Sequence, residues 1–185
     1  MRPRARWAQA YWRRVRSRGS PRLWFSARLI EIKHLIAPLT YTAYQKRHRH
    51  LCMALFEQNC PQYFAVEERA DYRKFLDSAP ENYWLVGQSD ECVACYGLSI
   101  EGSDASINWI MVDPTAHRRG IGSAMIARAF SIFTDHRVTH LKVATSQHAV
   151  RFFARFGLTE TSRTLNGWGL GMHRIDMEMA FRESC

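Results

Sequence analysis

The sequence predicts a mixed α/β domain of element order βααβββαβαββ, with a mostly antiparallel central sheet and helices on both faces. Three observations carry this prediction. Apolar residues recur at helical spacing over residues 41–78, alternate at extended spacing over 83–112, and return to a helical stripe over 120–135. The composition, 46% apolar and 23% charged, is that of a folded domain and excludes wholesale disorder.

The first half of the domain is predicted as a strand, two helices and a meander of three strands. The strand covers 35–40 and the helices cover 41–58 and 66–78, separated by Asn59-Cys60-Pro61. The meander consists of strands 83–88, 92–100 and 105–112. Strict alternation in the third strand predicts that Ile107, Trp109 and Met111 share one face.

The second half is predicted as a helix, a buried strand, a short helix and two closing strands. The long helix covers 120–135 and the buried strand 141–145. Ser146 is predicted to cap the short helix, which ends at Gly157. The closing strands cover 158–165 and 172–181.

The positive charge is confined to the amino-terminal end of the chain. The formal net charge is +9, yet residues 1–35 hold ten basic side chains and one acidic one, so residues 36–185 are electrically balanced. The sequence therefore predicts a basic arm, residues 1–34, and a domain over 35–185. A balanced domain lacks the basic field that a nucleic-acid-binding surface requires.

Three readings of the arm stay open: a weakly structured extension from an upstream start codon, a targeting or anionic-surface segment, and a nucleic-acid-binding arm. We expect no membrane span, because no apolar run approaches the length that a spanning helix needs. Nucleic acid is not expected as a partner of the domain, and the arm is the one segment through which it could bind.

The five cysteines are an odd number without the pattern of a disulfide scaffold. Cys92 and Cys95 have C-x-x-C spacing inside a predicted strand, which places their thiols on opposite faces. Buried reduced thiols therefore explain the pair better than a metal site, and no metal is expected. Reduced cysteines are typical of a cytoplasmic protein.

The segment that follows the third meander strand indicates an anion site. Asp113-Pro114 ends the strand, and His117-Arg118-Arg119-Gly120-Ile121-Gly122-Ser123 leads directly into the long helix. Free amides at a helix start attract phosphate, glycines allow close approach, and arginines add charge. A pyrophosphate site is the favoured interpretation, and a simple helix cap is the alternative.

At this point the sequence resembles the GNAT superfamily of N-acetyltransferases. The family motif [QR]-x-x-G-x-[GA], after a strand ending in V-x-P, matches His117–Gly122 after Val112-Asp113-Pro114, with His117 in place of Gln or Arg. A second motif, N-x-x-A-x-x-F-Y-x-x-x-G-F, matches residues 146–158. Ser146-Gln147-His148 with Phe152-Phe153 is similar to a subgroup of unassigned substrate. The resemblance covers about residues 35–182 and implies the GNAT fold.

The resemblance implies acetyl-CoA as the acetyl donor. Its pyrophosphate is expected on the amides of His117, Arg118, Arg119, Gly120, Ile121, Gly122 and Ser123. Its pantetheine arm is expected along the main chain of Ile110, Met111 and Val112, with Ser146 and Phe153 as further contacts. The thioester then enters a gap where the strands at 105–112 and 141–145 separate, and an N–H near Met111 steadies the oxyanion.

The departures from the family pattern bear on catalysis. Many relatives carry a tyrosine at the position of Phe153, which cannot protonate the leaving thiolate. His148 is the first candidate for the general base, because imidazole titrates near neutral pH, and an exposed first-turn residue is its alternative reading. Weaker candidates for the base are Tyr63, Tyr96, Glu101 and Asp176.

The acceptor pocket is the part that the motifs leave open. Tyr63 and Trp168 are candidates for substrate contacts, and Trp168 reads equally as a loop aromatic packed on the last strand. The predicted function is direct transfer of an acetyl group to a primary amine of a small molecule or peptide. A weakened relative that binds or senses acyl-CoA is the alternative, and either a monomer or a homodimer is expected.

Overall fold

The computed structural model describes residues 38–181, so the predicted arm over residues 1–34 lies outside the described residues. The strands are β1 Thr40–Ala43, β2 Tyr83–Gln88, β3 Glu91–Glu101, β4 Asp104–Val112, β5 His140–Ser146, β6 Thr159–Gly169 and β7 Met172–Ala180. The helices are α1 Arg49–Asn59, α2 Glu68–Asp77, α3 Ile121–Asp135 and α4 Val150–Ala154. The predicted element order is confirmed.

The seven strands form one sheet in the order β1-β2-β3-β4-β5-β7-β6. Every neighbouring pair is antiparallel except β4 and β5, which are parallel. Those two strands pair only where Asp104–Ser106 faces His140–Lys142. Beyond this short pairing they separate, whereas β5 stays paired with β7 along its whole length. The main chain of β4 after Ser106 therefore has an edge without a strand partner.

Two cores lie on opposite faces of the sheet, which confirms that helices cover both faces. The first core is built on α3, whose Ile121, Met125 and Phe133 are buried against the sheet. The second core is built on α1 and α2, through Phe56 and Tyr72. Burial of these apolar stripes stabilises each helix on the sheet, since helices of this length gain most of their stability from packing.

A β-bulge interrupts the alternation of β4. Trp109 and Ile110 both lie opposite Tyr96 of β3, and Trp109 takes a left-handed backbone conformation with φ 48°. One extra residue reverses the side-chain faces beyond it. Ile107 consequently packs in the α3 core, while Trp109 and Met111 pack on the α1–α2 side. The prediction that these three residues share a face is wrong.

A second irregularity affects the cysteine pair. The register of β2 against β3 shifts, so that Val86 faces Ala94 but Gly87 faces Cys92. Both Cys92 and Cys95 therefore lie on the α1–α2 side, which corrects the prediction of opposite faces. Burial raises the pKa of Cys92 to about 11, and the cysteines in the described part of the chain are free thiols.

Three predicted boundaries are corrected. The first strand is Thr40–Ala43 rather than 35–40, and α1 begins at Arg49 rather than near residue 41. The β-favouring run Thr40-Tyr41-Thr42 pairs with β2, which overrides the helical reading of this segment. Ser146 is the last residue of β5 and does not cap α4, which begins at Val150.

The remaining differences are small. The second helix is a turn shorter than predicted, Glu68–Asp77, and β6 runs on to Gly169. Within residues 38–181, no helix has the length and apolar character needed to cross a membrane.

Two buried tyrosines on the α1–α2 side of the sheet hold the bulge of β4 in place. The hydroxyl of Tyr83 donates to the carbonyl oxygen of Trp109 at 3.2 Å and lies 2.7 Å from the hydroxyl of Tyr72. Both rings are fully buried. Burial raises the pKa of the Tyr83 hydroxyl well above its usual value, so this group remains a neutral donor.

Replacing Tyr83 by Phe leaves the Trp109 carbonyl without this donor and the Tyr72 hydroxyl without this partner. We expect the free energy of unfolding to fall by about 1–3 kcal/mol, the usual cost of an unsatisfied buried group. Urea denaturation at constant m-value measures this loss. Tyr41→Phe is the matched control, because the Tyr41 hydroxyl makes no hydrogen bond among the described residues. Equal stability of Tyr83→Phe and wild type would contradict the proposed anchor.

Candidate acetyl-CoA and acceptor site

The gap between β4 and β5 is bordered by four chain segments. The loop after α1 brings the ring of Tyr63 within 5.5 Å of the His117 ring and 6.4 Å of the His148 ring, measured between centroids. The β6–β7 hairpin reaches the same edge, since Trp168 Nε1 donates to the Thr145 carbonyl at 3.0 Å. Residues predicted as cofactor, base and substrate contacts are therefore neighbours.

The loop before α3 has the shape expected of an anion site. Arg118 and Gly120 adopt left-handed conformations, with φ 62° and 82°, and α3 begins directly after them. Arg118 and Arg119 are exposed, so their guanidinium groups are available to a ligand. A fifteen-residue helix with free amides at its start adds partial positive charge.

The two glycines of this loop have different structural reasons. Gly120 serves the left-handed turn into the helix, where a side chain would be strained. Gly122 lies against the ring of Phe152, since a Cβ at this position would be 3.1 Å from Cε2 and Cζ of that ring. Gly122 thus keeps α3 close to α4, the helix that carries the second motif.

Some of the main-chain groups on the open edge of β4 already have hydrogen-bond partners within the protein. The amide of Asp113 donates to the Val93 carbonyl, so the adjacent main-chain groups of Val112 point away from β3, toward the gap. The Val112 carbonyl accepts from Asn59 Nδ2 at 3.1 Å and from His117 Nε2 at 3.0 Å. Both of its lone pairs are used, and the N–H of Val112 is the group left for a ligand.

The same register bears on the expected oxyanion donor. Met111 faces Cys95 in the β3–β4 ladder, so its amide is directed to β3 rather than to the gap. The amide of Val112 is the neighbouring donor on the open side. Met111, predicted to line the pantetheine, and Ile121, predicted to bind the pyrophosphate, both have buried side chains that belong to the cores.

His148 lies exposed beside the gap, held by its neighbour Gln147. The amide nitrogen of Gln147 donates to Nε2 of His148 at 3.1 Å and to the Gly171 carbonyl at 2.8 Å. The amide oxygen of Gln147 accepts from the N–H of His173 at 2.8 Å. One side chain therefore joins the predicted base to the tip of the β6–β7 hairpin. Its role escaped the sequence analysis because its partners follow 24 and 26 residues later.

Trp168 is fixed in place on both sides. Its indole donates to the end of β5, and the guanidinium of Arg174 lies 5.0 Å from its ring centroid. The hairpin next to it contacts the α1–α2 loop, because a Cβ on Gly169 would lie 2.8 Å from the Cβ of Ala65. The reading of Trp168 as an aromatic packed on β7 fits these contacts, and it still borders the gap.

The α1–α2 loop is held by a buried acid that the sequence analysis missed. Glu68, 8% exposed, accepts from the amide of Ala65 at 2.7 Å. Burial raises the pKa of Glu68 to about 7, so this carboxyl holds a proton more readily than an exposed glutamate. The hydrogen bond sets the approach of Ala65 to the hairpin.

Other predicted residues lie away from the gap or inside the protein. Phe153 is 2% exposed in the α3 core, and Ser146 is 5% exposed at the end of β5. Tyr96 is fully buried and hydrogen-bonded to Arg128, and burial raises its pKa to about 12.

Two acids that were weaker candidates for the base lie elsewhere. Asp176 pairs with Arg174, which lowers the pKa of that carboxyl. Glu101 ends β3, opposite Asp104 where the β4–β5 pairing begins.

Comparison with known proteins places the chain in a family. The model of the acetyltransferase (GNAT) family matches residues 52–158, more than half of the chain, so the chain belongs to this family. The predicted membership in the GNAT family is thereby confirmed. The family match includes the loop before α3 and the second motif.

Individual relatives agree with this assignment. An amino-acid acetyltransferase of Mycobacterium tuberculosis (strain ATCC 25618 / H37Rv) is 31% identical over 93 residues, 48% of this chain and 52% of the relative. The chain thus spans about half the length of the curated relative it matches.

Solved structures share the fold. Ard1 from Thermoplasma volcanium superimposes with a TM-score of 0.66 at 17% identity, over 78% of this chain and 99% of that one. The ribosomal-protein-S18-alanine N-acetyltransferase from Escherichia coli gives 0.65 at 16% identity, over 80% and 97%. The predicted fold class is therefore confirmed.

The hydrogen bonds of Gln147 to His148, Gly171 and His173 are called the Gln147 clamp below. We expect this clamp to limit the mobility of the β6–β7 hairpin. Gln147→Ala removes the acceptor of the His173 amide, and we expect hydrogen exchange at that amide to accelerate about 10-fold, as for the loss of one hydrogen bond. Exchange measured by NMR tests this. Gln147→Glu is the matched control, because a carboxylate still accepts from His173 but cannot donate to Gly171 or His148. Unchanged exchange in Gln147→Ala would refute the clamp.

Proposed function

We propose that the protein transfers an acetyl group from acetyl-CoA directly to a primary amine of a small molecule or peptide. The observation that carries this proposal is the gap between β4 and β5, which opens beside the arginine- and glycine-containing start of α3. A donor with a pyrophosphate at one end and an extended amide arm fits a cationic helix start followed by an unpaired strand edge.

The residues present suit the donor. Arg118, Arg119 and the amides at the start of α3 would hold its phosphates. The N–H of Val112 faces the gap and would pair with the amide arm. Acetyl-CoA supplies an activated acyl carbon, so that the new N–C bond forms as the C–S bond breaks and no covalent enzyme intermediate is needed.

The acceptor must lose a proton, and His148 is the exposed imidazole at the gap. Its Nε2 accepts from Gln147, which places the ring hydrogen of the neutral form on Nδ1. Proton uptake at Nε2 then requires this amide to turn away. The names of two relatives cite amino acids and a ribosomal-protein alanine as acceptors, which supports an α-amine as the acceptor class.

A second candidate function is the binding or sensing of acyl-CoA without efficient turnover. Phe153 favours it, because this buried phenyl ring offers no hydroxyl to a leaving thiolate. Against it, a thiol with a pKa of about 8.5 is a tolerable leaving group without an acid.

We further propose a reducing compartment such as the cytoplasm, supported by the free thiols of Cys52, Cys60, Cys92 and Cys95.

Binding of the donor is tested by ligand-dependent stability. At a concentration of about 100 times its Kd, acetyl-CoA is expected to stabilise the protein by about 2.7 kcal/mol, while ATP and NAD have no comparable effect. Thermal denaturation with each ligand measures this. Replacing both Arg118 and Arg119 by Gln should reduce the stabilisation by acetyl-CoA, whereas the same change at the exposed Arg137 and Arg151 should preserve it. No stabilisation by acetyl-CoA or CoA would refute the proposal.

Turnover separates the enzyme from the sensor. Release of the CoA thiol is followed with amino acids, amino-terminal peptides and polyamines as acceptors. Release with an α-amine supports the enzyme, and tight acetyl-CoA binding without release on the whole panel would support the sensor.

His148 is tested by the pH dependence of catalysis. His148→Ala is expected to flatten the rise of kcat/KM toward neutral pH and to lower its plateau about 10²-fold, the lower end for loss of a placed base. His136→Ala is the control, since His136 is an exposed imidazole after α3, outside the gap. An unchanged pH profile for His148→Ala would eliminate this residue as the base.

A further inference from the structure

A cationic groove lies on the outer side of α1 and α2, apart from the gap between β4 and β5. It is wide open to solvent and has a volume of about 560 Å³. The residues that line it are Lys46, Arg47, Arg49, His50, Met53, Ala54, Glu57, Arg69 and Arg73. None of these residues belongs to the acetyl-CoA and acceptor site, so the groove is a separate feature of the surface.

The groove arises because two helices direct cations into one space. The run Lys46-Arg47-His48-Arg49-His50 occupies a 3-10 turn and the first turn of α1. Arg69 and Arg73 are four residues apart on α2 and therefore lie on one face of that helix. Taken alone, the run on α1 is typical of a solvated helix face. In the structure, Arg69 and Arg73 of α2 line the same groove as this run. Exposure to solvent alone does not explain why cations from two helices share one groove.

Internal ion pairs neutralise only part of this charge. Arg49 pairs with Asp77 at 2.8 Å, and Arg69 pairs with Glu57. Within the described part of the chain, Lys46, Arg47 and Arg73 have no carboxylate at ion-pair distance, and all three are exposed. Three cations thus remain without an acidic partner there, although Arg47 Nε donates to His48 Nε2 at 3.3 Å. Like charges gathered this way repel one another, so an anion that binds between them relieves an unfavourable arrangement.

The lining of the groove indicates the chemical class of the anion. Guanidinium groups bind phosphate through two parallel hydrogen bonds, and a phosphoryl group carries close to two negative charges at neutral pH. The apolar lining residues are Met53 and Ala54, and no lining residue is aromatic, so the groove offers no platform for stacked bases.

We propose that this groove binds a small molecule that carries two or more phosphoryl groups. The site is independent of the acetyl-transfer proposal, because it shares no residue with it. Arg47 and Lys46 would contact the ligand from the 3-10 turn that precedes α1, and Arg73 would contact it from α2. Occupation would link the two helices whose connecting loop carries Tyr63, so the ligand is placed to influence the acceptor side of the gap.

The probe is inorganic tripolyphosphate, titrated calorimetrically into the full-length protein in the presence of saturating CoA. CoA occupies the loop before α3 and prevents the probe from binding there. The groove variant is Arg47→Gln with Arg73→Gln, and the charge-matched control is Arg137→Gln with Arg151→Gln, two exposed arginines outside the groove. All three proteins keep the same basic residues in 1–35, so the arm contributes equally to each measurement.

We expect the groove variant to bind tripolyphosphate at least about 10-fold more weakly than wild type, and the control to stay within about 2-fold. Equal weakening of both variants would show a general charge effect and overturn the proposal. Absence of tripolyphosphate binding to the CoA-saturated wild type would also overturn it. Equal or tighter binding of an oligoglutamate of the same charge, lost in the groove variant, would replace phosphoryl by carboxylate chemistry and so refute the assigned class.

Thermal denaturation of each protein without ligand controls for folding. Arg47 and Arg73 are exposed and unpaired with acids, so their replacement is expected to leave stability within about 0.5 kcal/mol. Failure of CoA to bind would refute the proposed acetyl transfer alone. The titration would then be repeated with Arg118 and Arg119 replaced by Gln, which keeps the test of the groove intact.

Discussion

The bulge at Trp109 is the constraint on which the candidate site depends. An extra residue bends a strand and increases its twist. In this sheet the pairing of β4 with β5 ends at Ser106, three residues before the bulge, so the bend and the gap occur together. Tyr83 fixes the bulge through the carbonyl of Trp109, and Tyr72 supports Tyr83. A hydrogen-bonded pair in the α1–α2 core therefore holds β4 in its bulged form beside the gap.

An open strand edge inside a protein must satisfy its main-chain groups in another way. Asn59 and His117 do so for the carbonyl of Val112, and both come from segments that border the gap. This arrangement ties the end of α1 and the loop before α3 to the same strand. What remains unsatisfied on that edge is available to a ligand that presents amides, which is why an extended donor suits the gap better than a compact one.

Sequence analysis could predict the features that depend on local pattern. The helical stripe over 120–135, the glycines of the preceding loop and the element order all follow from periodicity and turn chemistry. The two bulges could not be predicted, because an alternating pattern such as Ile107, Trp109, Met111 contains no sign of an inserted residue. The Gln147 clamp and the Glu68–Ala65 bond were missed for a related reason. These side chains bond to main-chain groups that the fold brings near them. Every residue has such main-chain groups, so the sequence does not show which of them will become a partner.

The net charge of the chain says little about where anions bind. Residues 36–185 carry equal numbers of acidic and basic side chains, yet two clusters of exposed cations remain in the described structure. Arg118 and Arg119 lie beside the free amides at the start of α3, whereas Arg47 and Arg73 line the groove from the 3-10 turn before α1 and from α2. In the groove, the carboxylates of Asp77 and Glu57 are used by Arg49 and Arg69, which leaves the other lining cations without an acidic partner among the described residues. Local pairing, rather than total charge, decides which cations can serve a ligand.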